Sequence, residues 1–407
     1  MAARVLLVLG LGALYAQYSA LTSPALQDAV SRIVEAKTSP VSYRDGFFLW
    51  TLNTGIEPLD RLLAHLVVLR WPLLLAGGSD AALTPVTISY AGLTSAIWTF
   101  LLLEGYRGGN KGRIIAFPTL FALLGQFLPV AFVTCVYGAI HLWTLNTTCT
   151  PIKQDLKVPR VVLTILPFVT LLGFAAPIAV SIVPMSSDLA RWAVAVLSAW
   201  PVLATLAVFL VDVVFSWGKT SNSASGFVDP TATRTALKDS RYARLLKIVY
   251  GASFIVTAVT YIIGSMLPLV AFFAPVFIPF SLDLVQNQSF WISHITGAFG
   301  GIYWYRASDY ILSSLGALIW AGSIYAQANV TGSTSYWKLS SLIIIAGPVA
   351  AAVWMVWERD CVVLGFSKNY GLSVSFDGDE KGKTRPRGCS GMGIGKWERG
   401  GKVLVLP

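Results

Sequence analysis

Long apolar runs follow one another along nearly the whole chain, and the charged residues are confined to the short breaks between them. Such a pattern restricts the fold to structures that satisfy every backbone N–H and C=O internally, because lipid offers them no partner. Only 12% of the 407 residues are charged and 55% are hydrophobic. A soluble domain carries roughly 25% charged residues, and a large soluble core would still need a charged surface. The mean hydropathy of +0.66 agrees. The expected fold class is therefore all-α, a polytopic bundle of transmembrane helices with membrane lipids as its solvent.

The runs set the organisation. Residues 1–21 form a first span or signal-anchor: a short apolar run behind Arg4, ending in small residues that also fit a cleavage site. Residues 22–58 read as a polar loop with an amphipathic stretch around 25–36. A multi-span membrane domain is expected over 59–360. Its least typical run is Leu59–Gly77, which carries Asp60, Arg61, His65 and Arg70 and suits a tilted or interfacial helix. Thr87–Leu103 ends on Glu104 and is followed by the glycine-rich basic loop 105–113. Ile114–Trp143, interrupted by Pro118 and Pro129, is long enough for one kinked helix and too short for two full crossings. Val161–Val183, Ala190–Trp217, Leu246–Phe273, Ile302–Ala326 and Leu339–Trp357 complete a set of seven to nine spans, with eight the central value. The tail 361–407 is polar, glycine-rich and aperiodic, and disorder is expected there.

The net charge of +10 and pI of about 9.4 do not point to nucleic acid. The Lys and Arg residues sit at span ends and in the tail, where they meet anionic headgroups and set topology. Orientation stays open. With 114–143 as one crossing, loops 146–160 and 218–245 share a side, the basic loop 105–113 takes the other, and the sequons at Asn146 and Asn329 fall on the side that the charges make cytosolic. An integral, multi-pass protein of the endoplasmic reticulum is the expected localisation.

Charge inside a span costs roughly 2.5–3.5 kcal/mol and marks candidates for function. Arg306 and Asp309 are three residues apart in the aromatic segment Tyr303–Tyr310, on one helical face. Two readings stand: a structural ion pair, or an acid facing a cavity lined by aromatics such as Tyr305 and Tyr310. Glu104 stands before Arg107, Lys111 and Arg113, which suits a capping acid as well as a catalytic one. Asp212 has no basic partner three or four residues away on its own helix. Asp60 and His141 lie near span ends, where a structural role is the simpler reading, and Gln126 beside Pro129 suits interhelical hydrogen bonding.

The four cysteines have no CxxC spacing, and no two histidines are paired for haem. There is no DDxxD, NSE/DTE-like, DxDD, P-loop, HExxH or GxSxG motif, so metal-dependent class I terpene synthesis and UbiA-type prenyl transfer are not indicated. No cofactor and no metal are expected.

The stretch FLLLEGYRGGNKGRIIAFPTLFALLGQFLPVAFVTCVYGAIHLWT (Phe100–Thr144) resembles fungal integral-membrane terpene cyclases of meroterpenoid pathways, of the ascochlorin, ascofuranone and macrophorin type. The matching pattern is an apolar helix ending in Glu104, the loop residues Arg107, Gly109, Asn110, Gly112 and Arg113, then Pro118, Thr119 and Gln126, and the terminal His141-Leu142. The closing run Gly347–Asp360 and the acid-bearing segment Tyr303–Ser314 share the resemblance; the tail departs from it. The resemblance implies protonation of a terminal epoxide or olefin on a lipid-like prenylated substrate, followed by a carbocation cascade and proton loss. A desolvated carboxylic acid suits the first step, aromatic walls shelter the cation, and a dry pocket protects it from water. Asp309, Glu104 and Asp212 are the expected catalytic acids. Arg107, Gln126, His141, Tyr305, Arg306, Tyr310 and Asp60 are expected around the substrate. The alternatives are a small-molecule transporter, which broken spans and intramembrane acids also suit, and a non-catalytic membrane protein.

Overall fold

The computed structural model describes residues 1–22, 24, 27, 41–43, 47–49, 56–58, 83–145, 153–172, 176, 200, 202–211, 213, 231–266, 300–328 and 336–366. Among them the fold is helical: α1 (Ala2–Leu21), α2 (Leu83–Gly105), α3 (Pro118–Phe127), α4 (Val130–Thr144), α5 (Lys153–Leu156), α6 (Arg160–Thr170), α7 (Val202–Val211), α8 (Thr231–Tyr261), α9 (Gly300–Gln327), α10 (Tyr336–Ala346) and α11 (Pro348–Leu364). The sheet is a hairpin of two three-residue strands, Val41–Tyr43 paired antiparallel with Phe47–Leu49, inside the segment expected as a loop.

Four long helices enclose the centre. Helix α2 packs on α8, α9 and α11, and α11 packs on α8 and α9. Their directions follow from the contacts. Ser89, early in α2, bonds the carbonyl of Thr260 and the hydroxyl of Ser265, late in α8 and just beyond it, so these two helices are antiparallel. Tyr90 reaches Asp309 early in α9 and Glu104 reaches Arg359 late in α11, so α9 and α11 run with α2. Helix α1 closes the outside by packing on α4 and α9, with Leu6 and Ala13 buried. After Tyr261 the backbone widens into a π-helical turn, Ile262–Met266, which carries Ser265 to Ser89; such widenings gather at functional places.

Two expected single elements are helical hairpins. Over 114–143 the chain reverses at Leu128-Pro129, between α3 and α4. The Phe121 and Tyr137 rings are 4.9 Å apart, whereas sixteen residues of continuous helix would separate them by about 24 Å. The second reversal replaces a single span over Leu339–Trp357. Gly347 stands at φ 94°, Pro348 opens α11, and the Lys338 ammonium lies 4.6 Å from the Trp354 ring centroid. Proline removes a donor and restricts the residue before it, so each reversal sits where a helix is most easily stopped.

Buried charge and exposed apolar surface occur side by side with the hydrophobic core. Glu104, Arg107, Asp309, Glu358, Arg359 and Asp360 are all at most 3% exposed. Val8, Leu11, Tyr15 and Tyr18 on α1, Phe168, Leu171 and Leu172 at the end of α6, and Leu206 and Phe209 on α7 face outward. Among the described residues two helices, Ala2–Leu21 and Ser240–Ser265, are long and apolar enough to cross a membrane; α3, α4, α7 and Trp337–Ala346 are shorter apolar helices. Among the described residues the helices thus do not establish the expected eight full crossings. Helix α11 runs to Leu364, past the expected boundary at 361. The rest of the tail and the run Leu59–Gly77 lie outside the described residues.

Candidate active site

Two polar clusters sit inside the bundle, at different heights along α2. The first is ionic. Glu104, in the last turn of α2, places Oε1 2.8 Å from Nη2 of Arg359 and Oε2 2.8 Å from Nε of Arg107. Arg107 Nη2 donates to Asp360 Oδ2 at 2.7 Å, and Arg359 Nε and Nη2 donate to Asp360 Oδ1 at 3.0 and 2.8 Å. Tyr250 of α8 adds its hydroxyl to Asp360 Oδ2 at 2.8 Å. Two acids and two guanidiniums thus neutralise one another away from water, the condition under which buried charge is tolerated. Burial opposes the charge on Arg107, but Asp360 and Glu104 more than offset it and hold its guanidinium well above the usual pKa.

The basic loop divides its labour. Arg107 and Asn110 turn inward: Arg107 Nη1 donates to the Leu156 carbonyl at 2.8 Å, and Asn110 Nδ2 donates to the Glu104 carbonyl at 2.7 Å, closing the end of α2. The glycines between them admit α5. A Cβ on Gly108 would lie 2.7 Å from the Gln154 carbonyl oxygen, and one on Gly109 2.8 Å from Asp155 Cβ. Lys111 is exposed and Arg113 partly buried.

His141 of α4 borders the ionic cluster. Trp320 Nε1 of α9 donates to His141 Nδ1 at 3.0 Å, so the imidazole's own hydrogen is on Nε2, which faces Glu104 Oε2 3.9 Å away. Trp320 also meets Tyr137 and Phe100 edge-on, with ring centroids 5.3 and 6.2 Å apart.

The second cluster forms around Asp309, 1% exposed on α9. Tyr90 Oη donates to Oδ2 at 2.6 Å, and the backbone amides of Val130 and Ala131 donate at 3.2 and 2.7 Å. Asp309 therefore caps the start of α4 from another helix, meeting amides that the helix itself leaves without partners. Gln17 of α1 holds the other side of the same reversal, donating to the Phe127 carbonyl at 2.9 Å. Helix α9 begins at Gly300, which puts Asp309 about 13 Å along it. Tyr305 is buried beside the cluster and Tyr310 is partly buried.

The expected Arg306–Asp309 pair takes a different form. The Arg306 guanidinium lies over the Tyr90 ring, 4.5 Å from its centroid, and Asp309 takes its described hydrogen bonds from Tyr90, two amides and Ser313. Nor do Glu104 and Asp309 converge. Tyr90 and Glu104 are fourteen residues apart on α2, about 21 Å, so Asp309 and Glu104 belong to separate clusters. Glu104, Arg107 and His141 share one; Asp309, Arg306 and Tyr305 share the other, while Tyr310 interacts instead with Tyr261 and Ser265. Gln126 bonds back to Ala122 of its own helix at 3.4 Å. Asp60 and Asp212 lie outside the described residues.

Arg359, Asp360, Tyr250, Trp320 and Tyr90 escaped sequence reasoning. The Glu358-Arg359-Asp360 run at the end of an apolar segment was the available signal for two of them; the others carry only hydroxyl or indole groups in apolar surroundings. Among the described residues no three His, Cys, Asp or Glu side chains gather as metal ligands.

Terpene cyclase ascI of Acremonium egyptiacum is 27% identical over 328 residues, covering 75% of this chain and 78% of its own length. Terpene cyclase ctvD of Aspergillus terreus is 26% identical over 314 residues, 74% of this chain and 83% of its own. Terpene cyclase penA of Penicillium crustosum is 25% identical over 376 residues, 87% and 94% respectively. No solved structure matches. The CtvD domain matches residues 1–364, which span both polar clusters and end where α11 ends, and the chain belongs to that family.

Proposed function

We propose that this chain is a membrane-bound terpene cyclase that starts its reaction by protonating a terminal epoxide or olefin of a prenylated substrate, with Asp309 as the acid. The observation that carries the reading is the buried Tyr90–Asp309 hydrogen bond of 2.6 Å at the head of α4. In the acid form the carboxyl proton on Asp309 Oδ2 is donated to Tyr90 Oη; Tyr90 passes its own hydroxyl proton to the substrate and takes the carboxyl proton in its place. The Val130 and Ala131 amides then stabilise the carboxylate left behind, as fixed dipoles do for charge that develops during a reaction.

Protonation breaks the terminal epoxide C–O bond, or forms a C–H bond at the terminal olefin, and leaves a carbocation. Each olefin along the chain attacks in turn and forms a C–C bond. Loss of one proton from the last cation closes the cycle, so product and substrate are isomers. Tyr305 beside Asp309 provides an aromatic face that lowers the energy of a desolvated cation, by about 2 kcal/mol or more. Glu104, held between two guanidiniums, anchors the bundle instead. The names of the relatives support cyclase activity. The outward-facing apolar residues support the membrane setting, because soluble proteins rarely expose such continuous surfaces.

Incubation of microsomes with a prenylated phenol and with its terminal epoxide, in H2O and in D2O, tests this reading. An isomer of unchanged mass is expected from one of them in H2O. In D2O, olefin protonation adds one non-exchangeable deuterium and epoxide protonation adds none. Absence of any isomer from either substrate, with the protein present in the membrane, would count against cyclisation.

A further inference from the structure

The reversal at Leu128-Pro129 changes which loops lie together. Because α3 leads away from the basic loop and α4 leads back, loop 105–113 and the segment after α4 are at the same end of the bundle. Direct bonds say the same. Gly108 N donates to the Lys157 carbonyl at 3.0 Å, and Val158 N donates to the Tyr242 hydroxyl at 3.0 Å, which brings the N-terminal half of α8 to that end. The cations carried there, Lys111, Arg113, Lys153, Lys157, Arg241 and Arg244, are exposed or partly exposed. Of the acids at this end, Glu104, Glu358 and Asp360 are turned into the interior and Asp155 alone is partly exposed among the described residues. Exposed Arg4, Arg160 and Lys247 lie toward this end as well, and exposed Lys338 stands at mid-height beside Trp354 of α11. At the opposite end are Thr22, Leu128-Pro129 and Ser265, and the nearest cation is the partly buried Arg306 stacked on Tyr90.

We propose that the basic end is the cytosolic end, lying against the anionic headgroups of the cytosolic leaflet; this rests on the membrane reading above. Short loops rich in Lys and Arg are retained on the cytosolic side, and anionic lipid holds them there. The conflict between loop 105–113 and loops 146–160 and 218–245 disappears, since it arose from counting 114–143 as one crossing. Two of the three sequons are entered from this end, since Leu145 after α4 directly precedes Asn146 and Ala328 after α9 directly precedes Asn329; the third, Asn287, lies outside the described residues. The N-terminal start of α1 and the C-terminal end of α11 are also cytosolic. Asp309 then lies toward the luminal side and the ionic cluster near the cytosolic face.

The test combines two readouts on full-length protein in sealed endoplasmic-reticulum vesicles. Cysteines are placed singly at Lys111→Cys, Lys157→Cys and Thr22→Cys, with Cys149 and Cys389 changed to serine, and exposed to a membrane-impermeant maleimide. Lys111→Cys and Lys157→Cys should label in intact vesicles and Thr22→Cys only after detergent. An Asn287→Gln chain, which keeps only the sequons at Asn146 and Asn329, should show no mobility shift on endoglycosidase treatment. The reversed labelling pattern, or a glycan at Asn146 or Asn329, overturns the proposal even if carbonate extraction leaves the protein in the membrane. Release by carbonate, with all three cysteines labelling before detergent, overturns the membrane reading and this proposal with it.

Discussion

Arg107 joins four elements through one side chain: Glu104 at the end of α2, Asp360 on α11, the Leu156 carbonyl at the end of α5 and the Tyr250 hydroxyl on α8. Removing it leaves two buried carboxylates to share one remaining guanidinium. Breaking a buried pair from one side costs about 3–5 kcal/mol, and Arg107→Ala is expected to lose that much stability, measured as thermal or denaturant unfolding in detergent. A change near zero would mean that water reaches the cluster. Arg107→Lys should recover only part, since an ammonium cannot fork to both acids. Trp320→Phe tests a smaller effect: it keeps the aromatic packing and removes the donor to His141 Nδ1. A loss of about 1–3 kcal/mol is expected for the acceptor left buried without its partner. The acids and the arginine of loop 105–113 were legible in the sequence because charge is rare in apolar runs. Tyr90 was not, because a tyrosine in an apolar helix is ordinary until its hydroxyl is seen 2.6 Å from Asp309.

At the scale of elements, hydropathy identified where helices lie but not where they turn back. Expected runs at Thr87–Leu103 and Ile302–Ala326 correspond closely to α2 and α9. Ile114–Trp143 and Leu339–Trp357 do not, because a reversal inside an apolar run leaves its composition unchanged. The prolines were visible, yet proline also occurs in helices that merely kink; only the cross-hairpin contacts decide. The α3–α4 hairpin is held by the Phe121–Tyr137 contact, by Gln17 and by Asp309. Phe121→Ala should cost about 3–5 kcal/mol through the lost ring and the cavity left behind, read as a lowered unfolding midpoint in detergent. A continuous kinked helix, in which Phe121 lies about 24 Å from Tyr137, would keep the Tyr137 environment unchanged.

Among the described residues, the buried charges gather in two interior clusters while many apolar side chains face outward, and on the membrane reading proposed above this arrangement gives the reaction a place for a proton. The family was legible in Phe100–Thr144, where the resemblance and the match over residues 1–364 agree. The grouping of the acids was not: Glu104 and Asp309 both look intramembrane in sequence, and only their spacing along α2 separates them. That separation yields the most direct test of the central claim, microsomal turnover of the prenylated phenol or its epoxide by Asp309→Asn and Glu104→Gln at matched protein levels. Loss of a general acid costs about two to four orders of magnitude in rate, and Asp309→Asn should fall by that much while remaining in the membrane with its helical content intact. Glu104→Gln should lose activity only as far as it loses folded protein. Unchanged turnover in Asp309→Asn, or a full loss confined to well-folded Glu104→Gln, would contradict the account and move the chemistry to the ionic cluster.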